Sequence, residues 1–143
     1  MIKKYLLALV LVILLLFVAA CDENEIVDEP EEITLPDELP AGVQGWIDNS
    51  IDTFGARTME YEGVLYLLVT YGEKPTGGYT VEITDIAEEE SRLIVTAHFE
   101  EPGADDIVTQ ALTYPYDLAM VEDAGLPVEF VASGAESDIP VID

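Results

Sequence analysis

Val64-Leu-Tyr-Leu-Leu-Val-Thr-Tyr71, then Gly72-Glu-Lys-Pro-Thr-Gly-Gly78, then Tyr79-Thr-Val-Glu-Ile-Thr84 is the stretch that decides the fold. Its first part is a dense run of β-branched, aromatic and leucine side chains, the pattern of a strand buried on both faces. Its last part alternates apolar and polar residues with a period of two, the pattern of a strand with one buried face. Between them Pro75 fixes one φ and lacks a donor, while Gly77 and Gly78 permit positive φ. The spacing predicts two strands joined by a short, shaped loop at one end of a sheet, where recognition surfaces are commonly carried. An ordinary connection is the plainer alternative.

Outward from there the chain continues as β. Arg57 to Tyr61, the turn Glu62-Gly63 and Val64 to Tyr71 read as a hairpin. Tyr79 to Ile86 is the next strand, followed by a charged turn at Glu88-Glu89-Glu90-Ser91. Leu93, Val95, Ala97 and Phe99 then share one strand face, with Arg92, Ile94, Thr96 and His98 on the other. Pro102-Gly103 and Asp105-Asp106 break the chain. Ile107 to Thr113 and Tyr116 to Val121 read as two further strands, separated by Tyr114-Pro115, with Pro115 confined to an edge or a kink. Pro127 to Ala132 is the last strand before an acidic tail. Upstream, Val43, Trp46, Ile47 and Ile51 form the stripe of a short amphipathic helix that starts after Pro40. About seven short strands at this spacing predict a mainly β fold. The expectation is a small antiparallel β-sandwich of immunoglobulin-like type, or an open barrel, with one short N-terminal helix.

The first 40 residues are of another kind. Lys3 and Lys4 precede an apolar run from Leu6 to Val18, too short for a spanning helix and of the length of a signal-peptide core. Val18-Ala19-Ala20-Cys21 resembles the lipobox of bacterial lipoproteins. The resemblance implies a lipoprotein signal peptide over 1–20 and acylation of Cys21, which would anchor the chain stably at the extracytoplasmic face of the cell membrane. A signal anchor, or a secretory signal with an incidental cysteine, are the alternatives. Asp22 to Pro40 holds nine acidic residues, three prolines and no basic residue. Such a segment cannot bury enough surface to offset chain entropy, so 21–40 reads as lipidated cysteine plus acidic disordered tether. Residues 41–143 then form one domain.

Cys21 is the sole cysteine, so with its sulfur acylated there is no disulfide, metal–thiolate site or cysteine nucleophile. The formal net charge is −25, from 30 acidic and 5 basic residues. That balance excludes nucleic acid and anionic headgroups as partners. It also makes any nominated carboxylate pair uninformative. His98 is the sole histidine, and no serine stands in a Gly-x-Ser-x-Gly setting. Glu100-Glu101 with Asp105-Asp106 offers oxygen ligands for calcium but matches no EF-hand loop, so a solvated turn is the reading. No catalytic residue, metal or cofactor is expected, and the chain reads as a non-enzyme.

What remains is binding chemistry. Tyr71, Tyr79, Tyr114 and Tyr116 gather near predicted strand ends, where tyrosine offers rigid, amphipathic contact area. Thr76-Gly77-Gly78 exposes backbone amides to a partner. Pro75, Thr76, Gly77, Gly78, Tyr79, Tyr114, Pro115 and Tyr116 are therefore the candidate partner-binding residues.

Gly72-Glu-Lys-Pro-Thr-Gly-Gly-Tyr79-Thr-Val-Glu-Ile83 together with Val108-Thr-Gln-Ala-Leu-Thr-Tyr-Pro-Tyr-Asp117 resembles the C-terminal domain of the PrcB family. The similarity spans about Val64 to Val121. That family is named for a spirochaete lipoprotein that helps assemble or stabilise a surface subtilisin-like protease complex. The resemblance implies a noncatalytic accessory lipoprotein whose partner is an extracytoplasmic protease or its propeptide. Lys74-Pro-Thr-Gly-Gly-Tyr79 is also similar to the Asn-Pro-Thr-Thr-Gly-Tyr loop of chagasin-type cysteine protease inhibitors, which are immunoglobulin-like sandwiches. It differs at Lys74 and Gly77, and Tyr114-Pro115-Tyr116 stands where those inhibitors carry Arg-Pro-Trp. An inhibitor, or an envelope module with no protease partner, are the alternative functions.

Overall fold

The computed structural model describes residues 32–143. The leader, Cys21 and the first part of the tether lie outside the described residues. One helix, α1 (Ala41–Asp48), precedes six strands: β1 (Gly55–Tyr61), β2 (Val64–Thr70), β3 (Thr80–Glu89), β4 (Arg92–Glu100), β5 (Tyr116–Glu122) and β6 (Val128–Gly134). They form two three-stranded sheets, ordered β1-β2-β5 and β3-β4-β6. The fold is a small sandwich and not a closed barrel.

Three layers follow from the residue pattern of β2, which is the middle strand of its sheet and is buried from Tyr66 to Thr70. Leu67 and Val69 face the second sheet. Leu67 packs with Leu93, Val95, Ala119 and Val121, and Val69 with Val81, Ala97 and Phe99. Tyr66 and Leu68 face the opposite way, into a cluster with Val43 and Ile47 of α1 and Leu118 and Met120 of β5. The continuous apolar run of β2 is thus explained: both of its faces are interior. Each fully buried aliphatic side chain contributes roughly 1.5–3 kcal/mol. The alternation in β4 is as the sequence predicts, with Leu93, Val95, Ala97 and Phe99 all buried.

Four features differ from the sequence expectation. Ile107 to Thr113 is not a strand. It belongs to a 101–115 loop that crosses from the second sheet to the first, and Ile107 and Leu112 face solvent. Crossing between sheets leaves it a single bridge, Thr113 to Lys74, which is too short to extend into a strand, so its β propensity is not realised. Second, the sandwich is not wholly antiparallel: β6 runs parallel to β4, from Leu93↔Val128 to Phe99↔Gly134. Third, the acidic tail is structural. Ile139 is buried in the inter-sheet core, and the backbone of Pro140 and Ile142 pairs with Ala56, covering the free edge of β1. Fourth, the chain reaches the sandwich before residue 41. Glu32 bridges Val121, the Ile33 N–H donates to the Met120 carbonyl at 2.8 Å, and Ile33 and Leu39 pack beside α1. Sparse apolar residues among the acids suffice to dock this segment on β5.

Candidate functional site

Strand polarity brings both predicted loops to one end of the sandwich. β2 ends at Thr70, β3 begins at Thr80, β4 ends at Glu100 and β5 begins at Tyr116. The 71–79 loop and the 101–115 loop therefore share a rim, and they are stitched together there. The Lys74 N–H donates to the Thr113 carbonyl at 2.9 Å, and the Thr113 N–H donates to the Lys74 carbonyl at 3.0 Å. The Tyr71 N–H reaches the Pro115 carbonyl at 2.8 Å, and the Gly77 N–H reaches the Thr109 carbonyl at 2.9 Å. The Thr113 hydroxyl donates to the Thr76 carbonyl at 2.8 Å. The Tyr114 hydroxyl donates to Glu73 Oε2 at 2.9 Å. That bond, then burial and the nearby carboxylates of Glu73 and Asp52, raise the Tyr114 pKa.

Beneath the rim lies an aromatic floor. The Tyr71 ring sits 4.8 Å from Phe99, 5.9 Å from Tyr79 and 6.2 Å from Phe54, in tilted or edge-on packing. Lys74 closes it from above, with Nζ 3.6 Å from the Tyr71 ring centroid and 5.2 Å from that of Tyr79. A lysine so placed is held by the ring quadrupoles and covers apolar surface with its stem. The Tyr71 hydroxyl is buried and makes no hydrogen bond of full geometry among the described residues, although the Glu136 carboxylate stands close enough to bias it. Burial, then the charges of Glu136 and Glu101, push its pKa up to about 12.

The candidate residues accordingly divide. Pro75, Gly78, Tyr114 and Tyr116 are exposed on the rim. Tyr79 turns inward to the aromatic floor, Pro115 is half-buried, and Thr76 and Gly77 are spent on bracing the second loop. The Gly77 amide expected to face a partner is thus already bonded. Gly78 has φ 89°, and a Cβ there would stand 2.8 Å from Val108 Cγ1 and 2.9 Å from Pro102 Cβ. Positive φ and close packing together require glycine. Sequence reasoning missed Ile107 and Leu112, whose side chains add apolar area to this end of the molecule. Their signal was the cluster of breakers from Pro102 to Asp106, which argues against a core strand.

Tyr116 also lines a groove of about 630 Å³ on the α1 side of β5. Its other wall is the 35–39 segment, with Gln44, Asp117 and Leu118 completing it.

Around His98 the structure places more than an isolated imidazole. Nδ1 lies 3.1 Å from Ser133 Oγ, and Nε2 lies 3.6 Å from Glu100 Oε1. These residues meet because His98 and Ser133 are register partners in the parallel ladder and Glu100 is two residues on along β4. Ser133 Oγ donates to the Ala97 carbonyl at 3.2 Å, so its proton is committed to the backbone. The group reads as polar cross-strand pairing on a half-exposed sheet face. Among the described residues no group of three or more His, Cys, Asp or Glu side chains is arranged to hold a metal ion. No described helix is long and apolar enough to cross a membrane.

A family model described as PrcB C-terminal matches residues 65–122. No curated protein and no solved structure matches the chain. The matched segment runs from β2 to the end of β5 and contains both rim loops. Residues 65–122 of this chain are thus similar to the PrcB C-terminal family.

Proposed function

We propose that the chain is a noncatalytic protein-binding module, an accessory subunit that assembles or stabilises an extracytoplasmic protease complex. In this reading Cys21 carries the lipid that holds it at the outer face of the cell membrane. The observation that carries the reading is the braced rim, where two distant loops exchange backbone hydrogen bonds and leave Pro75, Tyr114 and Tyr116 outward. A rigid scaffold presenting tyrosine and apolar side chains loses little entropy on docking. The family match supports a protease complex as the class of partner. The inhibitor reading is less favoured because Tyr79, the tyrosine that ends the compared loop motif, packs into the aromatic floor.

The test is recovery of partners from envelope extracts by the full-length protein. Tyr114→Ala and Pro75→Ser should lose the partner that the wild type retains, with folding unchanged. Equal recovery by all three sinks the rim as the contact. Addition of wild type should prolong the lifetime of the recovered protease; a stoichiometric fall in its turnover would favour inhibition instead. Cys21→Ser should leave the detergent phase on partitioning.

A further inference from the structure

We propose that the groove beside Tyr116 receives an extended segment of the partner in which apolar side chains alternate with lysine or arginine. This inference deepens the reading of the rim as a protein-contact surface and rests on it. Tyr116 belongs to both, so the groove continues the rim onto the α1 side of β5.

The apolar half of the argument comes from the groove's walls. Leu35 and Tyr116 are each 44 % exposed, and Pro36, Leu39 and Leu118 lie along the same concavity. Leu35 is held there because Ile33 and Leu39, on either side of it, are docked on the sandwich. A concavity of this size, with leucine, proline and tyrosine side chains set among polar ones, offers a seat for one or two side chains. Covering it removes apolar surface from water, which favours binding.

The charged half comes from what is missing inside the molecule. Every charged residue lining the groove is acidic: Asp37, Glu38 and Asp117. Asp117 is fixed in place, because Oδ2 accepts the Ile83 N–H and Oδ1 accepts the Leu118 N–H, at 2.7 and 2.9 Å. Asp37 and Glu38 make no ion pair among the described residues. The three cations of residues 32–143 are all placed elsewhere. Arg57 donates to Thr70 Oγ1, Lys74 lies over Tyr71, and Arg92 is bonded to Glu129. Among the described residues no cation faces the groove, so a basic segment of the partner would meet its carboxylates unopposed. Such complementarity sets orientation and speeds encounter, and it repels acidic segments and anionic headgroups.

The probe is a blocked peptide, Ac-Lys-Leu-Arg-Leu-NH2, titrated into the isotope-labelled full chain and followed by NMR. Two controls separate the contributions: Ac-Glu-Leu-Glu-Leu-NH2 lacks the cations and Ac-Lys-Gly-Arg-Gly-NH2 lacks the apolar side chains. The expected result is saturable shifts at the amides of Leu35, Leu39, Gln44 and Leu118 with the first peptide alone. Tyr116→Ala should weaken that binding about tenfold, as for a central aromatic contact. Asp37→Asn with Glu38→Gln should weaken it and flatten its salt dependence. Glu88→Gln with Glu89→Gln removes the same charge at the far end of β3 and should leave it intact. An equal response to all three peptides, or equal loss in both neutralised variants, overturns the proposal. Because no partner protein is used, that failure leaves the rim reading standing. Retained peptide binding alongside equal partner recovery by Tyr114→Ala would sink the rim reading and not the groove.

Discussion

The Asp117 carboxylate of β5 accepts the backbone N–H of Ile83 in β3 at 2.7 Å, joining the two sheets by a side-chain-to-backbone bond. It does so where the β3–β4 ladder slips, between Ile83 and Asp85, so an amide at an interruption of the ladder finds a partner in the other sheet. The other oxygen of the same carboxylate takes the Leu118 N–H at 2.9 Å. Asp117→Ala should therefore cost about 1–3 kcal/mol, the penalty of leaving a part-buried amide unpaired. Denaturant unfolding should show a lower midpoint with an unchanged slope, and Asp117→Asn, which keeps one acceptor, should lose less.

Tyr71→Phe removes a buried hydroxyl whose polar neighbour, Glu136, stands outside full hydrogen-bond geometry, and should leave stability at neutral pH unchanged or raise it by up to about 1 kcal/mol. The same variant should change the alkaline limb of stability. The hydroxyl ionises at the ordinary 10.0 when unfolded and at about 12 when folded. A raised folded value gives a contribution complete below pH 10 and lost as pH rises toward 12, since the unfolded chain releases the proton first. Thermal unfolding between those limits should fall less steeply with pH in Tyr71→Phe than in the wild type.

Most of the layer plan was legible in the sequence because it depends on local period. The unbroken apolar run of β2 and the alternation of Leu93, Val95, Ala97 and Phe99 state which faces are interior. That the two loops share a rim depends on strand polarity, because each joins strands that leave and enter at the same end of the sandwich. Three things were not legible. Whether Ile107 and Leu112 join a ladder depends on a neighbour that the loop's crossing denies them. The parallel placement of β6 beside β4 is a choice among edges that local pattern does not record. Tyr79 reads identically whether it faces a partner or the ring of Tyr71; the pairing with Lys74 settles it.

Gly78→Ala should destabilise the rim by about 1–3 kcal/mol, because it adds a left-handed backbone penalty to a contact with Val108 and Pro102. Hydrogen exchange should quicken first at the amides of Lys74, Gly77 and Thr113, which the loops share. Uniform acceleration across β2 and β4 would instead mean that the loop is not a separate unit.

At the opposite end of the molecule, the β3–β4 turn holds Glu90 at φ 48° and Ser91 at φ 66°, a two-residue hairpin built without glycine. Asn-Gly adopts that geometry at lower cost. Replacing the pair, Glu90→Asn with Ser91→Gly, should raise stability by roughly 0.5–1 kcal/mol despite loss of the exposed Glu90–Arg92 contact. A rise in melting temperature with unchanged partner recovery would be the readout.

The chain alternates between layers: after β4 it leaves for β5 in the first sheet, then returns to lay β6 against β4. Neither sheet is a contiguous stretch of polypeptide, so neither can mature alone, and closure of the second must wait for the first. Residues 65–122 omit β1 and β6, one outer strand from each layer. A recombinant fragment cut to those limits should emerge as an aggregating, unfolded product, and the smallest autonomous piece must include the chain on both sides of it.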